Sequence, residues 1–108
     1  MPAEAEPVRP SPSGAAPLAG VRVIEVSLLG PGAVGTHLAD LGAEVIKVEP
    51  PAGDYIRQMT WPIIEGSSLL HWHIHRGKKS LTLDLRTDEA QDVFRDLVRD
   101  ADAVIEAM

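Results

Sequence analysis

The 108-residue chain has no cysteine, which excludes a disulfide framework and thiolate chemistry and leads us to expect a cytoplasmic protein. Positive charge is scarce: 10 Lys and Arg stand against 16 Asp and Glu, a net charge of −6. That balance argues against general nucleic-acid binding, which needs a basic surface. No apolar run approaches the roughly 18 residues of a membrane span. The N-terminus shows no basic start followed by an apolar stretch, so we expect no secretory signal.

The first 16 residues contain four of the nine prolines and almost no large apolar side chain. This composition predicts a disordered tail rich in Pro, Ala and Ser. We expect order to begin near Pro17 and Leu18 and to continue as one segment over residues 17–108.

The first half of that segment has the pattern of a strand, a helix and a second strand. Residues 21–26 and 43–48 are short, apolar runs rich in β-branched side chains, as buried strands are. Residues 31–41 have helical spacing, with Val34, Leu38 and Leu41 on one face, and Gly42 is a typical helix end. The pattern predicts a βαβ unit with parallel strands.

The second half predicts further strands and one clear helix. Residues 80–85, "SLTLDL", alternate with period two, and "DAVIEAM" reads as another strand. Between them, Thr87 is a candidate N-cap. Apolar side chains recur there at helical spacing, while Asp92, Arg95, Asp96 and Arg99 face solvent. The helix's apolar stripe comprises Ala90, Val93, Phe94, Leu97, Val98 and Ala101. The sequence thus predicts about four strands and two or three helices, and residues 55–70 show no clear period. Because parallel strands bury both faces and need neighbours, we expect the N-terminal part of a larger α/β domain.

Residues 30–35, "GPGAVG", form a G-x-G-x-x-G motif between the first strand and the helix, and Glu49 ends the second strand. This is the arrangement of a dinucleotide fingerprint. Two details oppose it: Glu25 lies in the core-facing register, and three residues separate the strand from Gly30. An NAD site, another phosphate- or pantetheine-type ligand, and turn geometry without a ligand all remain open.

Two further clusters have both a functional and a plain interpretation. His71, His73 and His75 would share one face of a strand and so suit zinc. No acidic or cysteine ligand lies at metal spacing, however, so we expect surface or interface histidines and no metal site. The turn at residues 76–79, "RGKK", is either solvated or a phosphate contact, and Arg86 at the far end of the following strand would extend it over about 20 Å.

Catalytic constellations are not evident in the sequence. No Ser-His-Asp set assembles, and none of the candidate carboxylates has the spacing of a catalytic pair. These carboxylates are Glu25, Asp40, Glu49, Asp54 and Asp84.

Linked motifs over residues 17–107 resemble the start of the family III CoA-transferases. They are "PLAGVRVIEVS", "GP", "LADLGAEVIKVEPPAGD", "RGKKSLTLDLRTDEA" and "LVRDADAVIE", in that order. The resemblance implies the N-terminal part of an open Rossmann-type parallel sheet with flanking helices, incomplete on its own. It also implies interlocked homodimers, or a partner chain that supplies the remainder. The substrates would be a CoA thioester and a carboxylic acid, with no covalently bound cofactor, no nucleic acid and no membrane.

The family's transferases work through an aspartyl thioester and its racemases through an acid/base pair. Both lie downstream of this segment, so the resemblance carries no catalytic residue onto the chain. We expect a CoA-transferase or acyl-CoA racemase represented by its CoA-binding part and inactive alone. The alternatives are a non-catalytic CoA-binding subunit of a split enzyme and an NAD-binding oxidoreductase fragment.

The resemblance also implies CoA contacts at several positions. Pantetheine would pack near the loop after the first strand, and adenine and phosphate near residues 83–86. Pro50 replaces a position that is basic in some members, His75 replaces a frequent Asn, and residues 107–108 replace Asn-Phe. The implied contacts are Leu29, Gly30, Pro50, Arg76, Lys78, Lys79, Leu83, Asp84, Leu85, Arg86, Ala107 and Met108.

Overall fold

The computed structural model describes residues 16–107. The predicted tail, apart from Ala16, and the predicted contact Met108 lie outside the described residues. In chain order the elements are β1 (Arg22–Val26), α1 (Leu29–Asp40), β2 (Glu44–Glu49), a 3₁₀ turn (Tyr55–Gln58), β3 (Ile63–Ile64), β4 (Ser67–Ser68), α2 (Leu69–Ile74), β5 (Lys79–Thr82), α3 (Asp88–Arg99) and β6 (Ala103–Glu106). No helix in this part of the chain is long and apolar enough to cross a membrane.

The main sheet has four parallel strands in the order β5-β2-β1-β6. The predicted βαβ unit is therefore confirmed, as is the α/β class. Because β1 lies between two neighbours and has helices over both faces, its apolar side chains are almost fully buried. Alternate residues of β1 serve different layers: Val23 packs with Ala43, Val45 and side chains of α1, whereas Ile24 packs against Phe94 and Leu97 of α3.

The contact between α1 and the sheet differs from the prediction. We expected Val34, Leu38 and Leu41 to form the packed face, but Val34 and Leu41 are exposed. Leu38 packs against the cluster around Val23 as predicted, but the residues that the helix buries are Gly32, Gly35 and Thr36. Small residues allow the helix to approach the side chains beneath it closely, so an apolar face was not required.

The boundaries of α1 are set by backbone geometry at both ends. The helix begins at Leu29, two residues earlier than predicted, so only Ser27 and Leu28 separate it from β1. Leu29 has a positive φ of 28°, which is uncommon for a non-glycine residue. Gly42, with φ 101°, follows the helix end as predicted.

The predicted helix after Thr87 is confirmed as α3. The Thr87 hydroxyl accepts a hydrogen bond from the Ala90 amide at 3.2 Å. The apolar stripe packs on the sheet through Phe94, Leu97 and Ala101, while Val93 is exposed against expectation.

The segment without a clear period, residues 55–70, forms the 3₁₀ turn, the β3-β4 hairpin and the first residues of α2. The histidines lie on or beside a helix, so the strand interpretation is wrong. Helical spacing of four residues brings His71 and His75 together, with ring centroids 5.1 Å apart, and both are buried. His73 alone is exposed. The expected surface histidines are therefore mostly interior.

Candidate functional site

A cleft of about 340 Å³ lies where the carboxyl ends of β1, β2 and β5 meet. Loops after parallel strands collect at one edge of a sheet, and open α/β sheets bind ligands there. Three segments form the walls: residues 26–28, residues 47–54 and residues 83–86. The lining residues are Val26, Ser27, Leu28, Lys47, Val48, Glu49, Pro50, Pro51, Asp54, Leu83, Asp84, Leu85 and Arg86.

The walls of this cleft are mostly apolar, with polar groups at a few places. Leucine, valine and proline side chains provide most of the surface, which suits a flat or aliphatic ligand group. The rim carries a bidentate pair in which Arg86 Nε and Nη2 donate to Asp84 at 2.8 and 3.0 Å. Hydrogen bonds from Arg86 lower the pKa of the Asp84 carboxyl. The Ser27 hydroxyl has no hydrogen-bond partner among the described residues.

The structure brings five of the predicted CoA contacts into one cleft, and these are Pro50, Leu83, Asp84, Leu85 and Arg86. Leu29 and Gly30 follow directly after Leu28 of the lining. Ala107 lies beside the same edge because its amide donates to the Val26 carbonyl at 3.1 Å. The strand over 80–85 was predicted too long: β5 ends at Thr82, so Arg86 lies in the turn before α3 and does not extend a basic patch along a strand.

The predicted basic contacts Arg76, Lys78 and Lys79 do not line this cleft. They lie along a second cleft of about 270 Å³ beside α2 and β5. Each is paired with a carboxylate: Arg76 with Asp40 at 2.6 Å, Lys78 with Glu25 at 2.7 Å, and Lys79 with Glu44 at 3.4 Å. The turn over residues 76–79 is solvated at Arg76, Gly77 and Lys79, whereas the side chain of Lys78 is only 2% exposed.

A buried charge cluster lies beneath the end of β1 and β2, and we define it as Glu25, Lys47, Asp54, His75 and Lys78. Lys47 Nζ lies 2.9 Å from Asp54 Oδ2 and 3.4 Å from Glu25 Oε2. Lys78 Nζ also donates to the Gly32 carbonyl at 2.6 Å and lies 2.8 Å from His75 Nδ1. Buried charges persist when they are paired in this way.

His75 is the neutral member of the cluster. Burial, and then the positive charges of Lys47 and Lys78, lower the pKa of its imidazole to about 3. Burial likewise lowers the pKa of His71. His75 Nε2 faces Asp54 Oδ2 at 3.3 Å. A neutral ring that accepts at Nδ1 from Lys78 carries its proton at Nε2, on the side of that carboxylate.

Two of the three glycines in the 30–35 motif pack against this cluster. A Cβ on Gly32 would lie 2.8 Å from His75 Cε1, and one on Gly35 would lie 2.0 Å from Glu25 Oε1. A Cβ on Gly30 would meet nothing within 4 Å. The second and third glycines, which would approach a pyrophosphate in a dinucleotide site, are therefore explained by internal packing.

The ion pair between Arg57 and Glu49 lies where the two clefts adjoin, because Glu49 lines both of them. Arg57 donates to Glu49 through Nε at 3.1 Å and Nη2 at 2.9 Å, and Ser80 donates to the same carboxylate. Burial opposes the charge of Glu49, but these hydrogen bonds outweigh it and lower the pKa of Glu49 to about 2.

Sequence reasoning missed Lys47 and Arg57 and did not connect Glu25 with Asp54. One signal was available, because Glu25 and Lys47 interrupt two otherwise apolar strands and are direct register partners in the parallel pair. Opposite charges at paired buried positions predict a salt bridge. The contributions of Asp54 and His75 depend on loops whose course no short-range pattern specifies.

Among residues 16–107, no group of three His, Asp or Glu side chains is arranged so that it could hold a metal ion. The profile of CoA-transferase family III matches residues 18–108. The chain belongs to that family.

Relatives and solved structures agree with this assignment. Succinate–glutarate CoA-transferase of Agrobacterium fabrum is 46% identical, over 88% of this chain and 26% of its own. A probable fatty acyl-CoA transferase of Mycobacterium tuberculosis is 44% identical, over 91% and 26%. The crystal structure of a CAIB/BAIF family protein from Brucella suis superimposes with a TM-score of 0.73 at 45% identity, covering 83% of this chain and 25% of that one. The family III chain thus spans about a quarter of the length of these relatives.

Proposed function

We propose that this chain is the CoA-binding N-terminal part of a family III CoA-transferase or acyl-CoA racemase. One observation carries the proposal: the cleft at the carboxyl ends of β1, β2 and β5 gathers Pro50 and residues 83–86, the positions that the family resemblance associates with CoA. Relatives whose names describe CoA transfer to or from succinate, glutarate and oxalate support the same substrate class.

The cleft accommodates only part of a CoA molecule. Leu83 and Leu85 offer an apolar surface for the adenine ring, and Arg86 at the rim offers a cation for a phosphate. The pantetheine arm then runs toward Leu29 and Gly30, where the open side of Gly30 leaves room beside the backbone. Binding of the acyl end near the start of α1 places the thioester at the edge that the rest of a family III enzyme would cover.

By resemblance, the covalent step belongs to a part of the family sequence outside the matched residues 18–108. In the transferases, by resemblance, an aspartate forms a thioester with CoA before CoA passes to the acceptor acid. The expected behaviour of the 108-residue chain is therefore ligand binding without turnover.

A partner chain is the second part of the proposal. The excursion between β2 and β5 exposes Trp61, Trp72, Ile64 and Leu69, with Trp61 87% exposed. Large apolar side chains gathered on one segment mark interaction surfaces. A second copy of the chain or the remaining family sequence would cover them. If a separate chain carries that sequence, this chain is a non-catalytic CoA-binding subunit of a split enzyme.

Calorimetric titration of the full chain with CoA and, separately, with NAD tests the binding proposal. We expect saturable heat with CoA and none with NAD. NAD binding without CoA binding would overturn the proposal. Sedimentation of the same sample measures whether a second copy is present.

A further inference from the structure

We infer that Lys47 is a positioning residue that holds two walls of the CoA cleft in register. The inference rests on the proposed function. Lys47 forms the last register pair between β1 and β2, opposite Glu25, and its side chain is 3% exposed. Its ammonium donates to the Ser27 carbonyl at 2.5 Å. Ser27 belongs to the loop after β1, so this bond fixes the first wall.

The same ammonium reaches the second wall through Asp54, whose Oδ2 lies 2.9 Å away. Asp54 is itself tied to its loop, because its Oδ1 accepts from the Ile56 amide at 3.0 Å and caps the 3₁₀ turn. This loop carries Pro50 and Pro51 of the lining. A single buried cation therefore connects the segments that face each other across the cleft.

Glu25 provides an internal comparison within the charge cluster. It is fully buried, and its closer partner is Lys78 at 2.7 Å rather than Lys47 at 3.4 Å. Glu25 does not line the cleft. Two carboxylates of one cluster thus differ in a single respect that matters here: Asp54 anchors a cleft wall and Glu25 does not.

A cleft with fixed walls binds more tightly because the ligand does not have to order them. Apparent affinity falls in proportion to the population of the binding-competent arrangement. Releasing either wall lowers the population of the binding-competent arrangement. Lys47 therefore affects binding through the walls, because its Nζ is engaged with protein groups. A fall to about one tenth raises Kd about tenfold.

The experiment compares the full chain with three variants, Lys47→Met, Asp54→Asn and the matched carboxylate-to-amide control Glu25→Gln. Kd for CoA is measured by calorimetry at equal concentrations of folded protein. Amide exchange without ligand is followed at Gly32 and Gly53, whose N–H groups donate to the Leu28 and Pro50 carbonyls. Asp54→Asn keeps the oxygen that caps the 3₁₀ turn, so it is the decisive variant if Lys47→Met fails to fold.

We expect Asp54→Asn and Lys47→Met to raise Kd about tenfold and to speed exchange at Gly53, while Glu25→Gln changes each less than about twofold on folded protein. Equal effects of Asp54→Asn and Glu25→Gln on both readouts would overturn the inference. If wild-type protein binds no CoA, the proposed function fails, and the exchange comparison still decides whether Lys47 and Asp54 hold the wall.

Discussion

Gly35 of α1 lies directly over the carboxylate of Glu25, close enough that a Cβ would stand 2.0 Å from Glu25 Oε1. Glu25 cannot retreat, because it is fully buried and held by Lys78 and Lys47. The glycine is thus fixed by a buried charge beneath it.

Gly35→Ala is expected to destabilise the chain. The added methyl group must displace either α1 or the carboxylate, and overpacking of this kind costs about 1–3 kcal/mol. Urea unfolding measures the change. Gly30→Ala is the matched control, because its Cβ meets nothing within 4 Å and alanine favours a helix over glycine by up to about 1 kcal/mol. Equal losses in the two variants would contradict the packing explanation.

This relationship also shows how far sequence reasoning reaches. Apolar period and the glycine after α1 were enough to predict the parallel sheet, because strands and helices follow from local patterns. Apolar spacing predicted only Leu38 of the packed face of α1. The closest approaches are made by glycines, and the partners that they accommodate, Glu25 and His75, come from a strand and from the end of a helix 50 residues apart in sequence.

Some residues of the site were likewise predictable from the sequence and others were not. Residues 83–86 and Pro50 were placed by family resemblance, and the structure brings them together in one cleft. Lys47 and Asp54 carry no motif of their own. Their roles arise from tertiary contacts between a strand and two loops, which a single sequence does not encode in any short-range pattern.

His75→Asn is expected to reduce the loss of folding stability that acid pH causes. The pKa of His75 in the folded chain is about 3, below its usual 6.5. Its contribution to stability is therefore fully present above pH 6.5 and is lost as the pH falls toward 3. Between pH 7 and pH 4, the variant should lose less free energy of unfolding than wild type, by on the order of 2 kcal/mol.

Urea unfolding at a series of pH values measures this difference. His73→Asn is the control, because His73 is an exposed histidine two residues away, and it should follow the wild-type profile. A His75→Asn profile as steep as that of wild type would show that the buried imidazole does not drive the response.

Glu49→Gln is expected to lower the free energy of unfolding. The loss should vary with pH over a lower range than the effect of His75→Asn. The pKa of Glu49 is about 2 rather than the usual 4.5, so its contribution is present above pH 4.5 and is lost as the pH falls toward 2. Because Arg57 is partly exposed, we expect a loss on the order of 2 kcal/mol at pH 7. The gap to wild type should close between pH 4.5 and pH 2. Thermal unfolding checks both points, with the half-exposed Glu44→Gln as control. A gap that is independent of pH would contradict an ionic role for Glu49.

Arg86→Ala is expected to weaken CoA binding without unfolding the chain. Arg86 stands at the rim of the cleft with its side chain 87% exposed. Removing it therefore deletes little packing and the cation that we propose contacts a phosphate of CoA. Arg95→Ala is matched, since Arg95 is also exposed and donates to a nearby aspartate at 2.9 Å, but it lies on α3 outside the lining. Calorimetry should show Kd for CoA raised about two- to fivefold for Arg86→Ala and unchanged for Arg95→Ala.

The difference in Kd between the two variants should shrink as salt rises from low to physiological concentration, because screening weakens an exposed ion pair. Equal affinities of the two variants for CoA at low salt would show that Arg86 does not contact a phosphate.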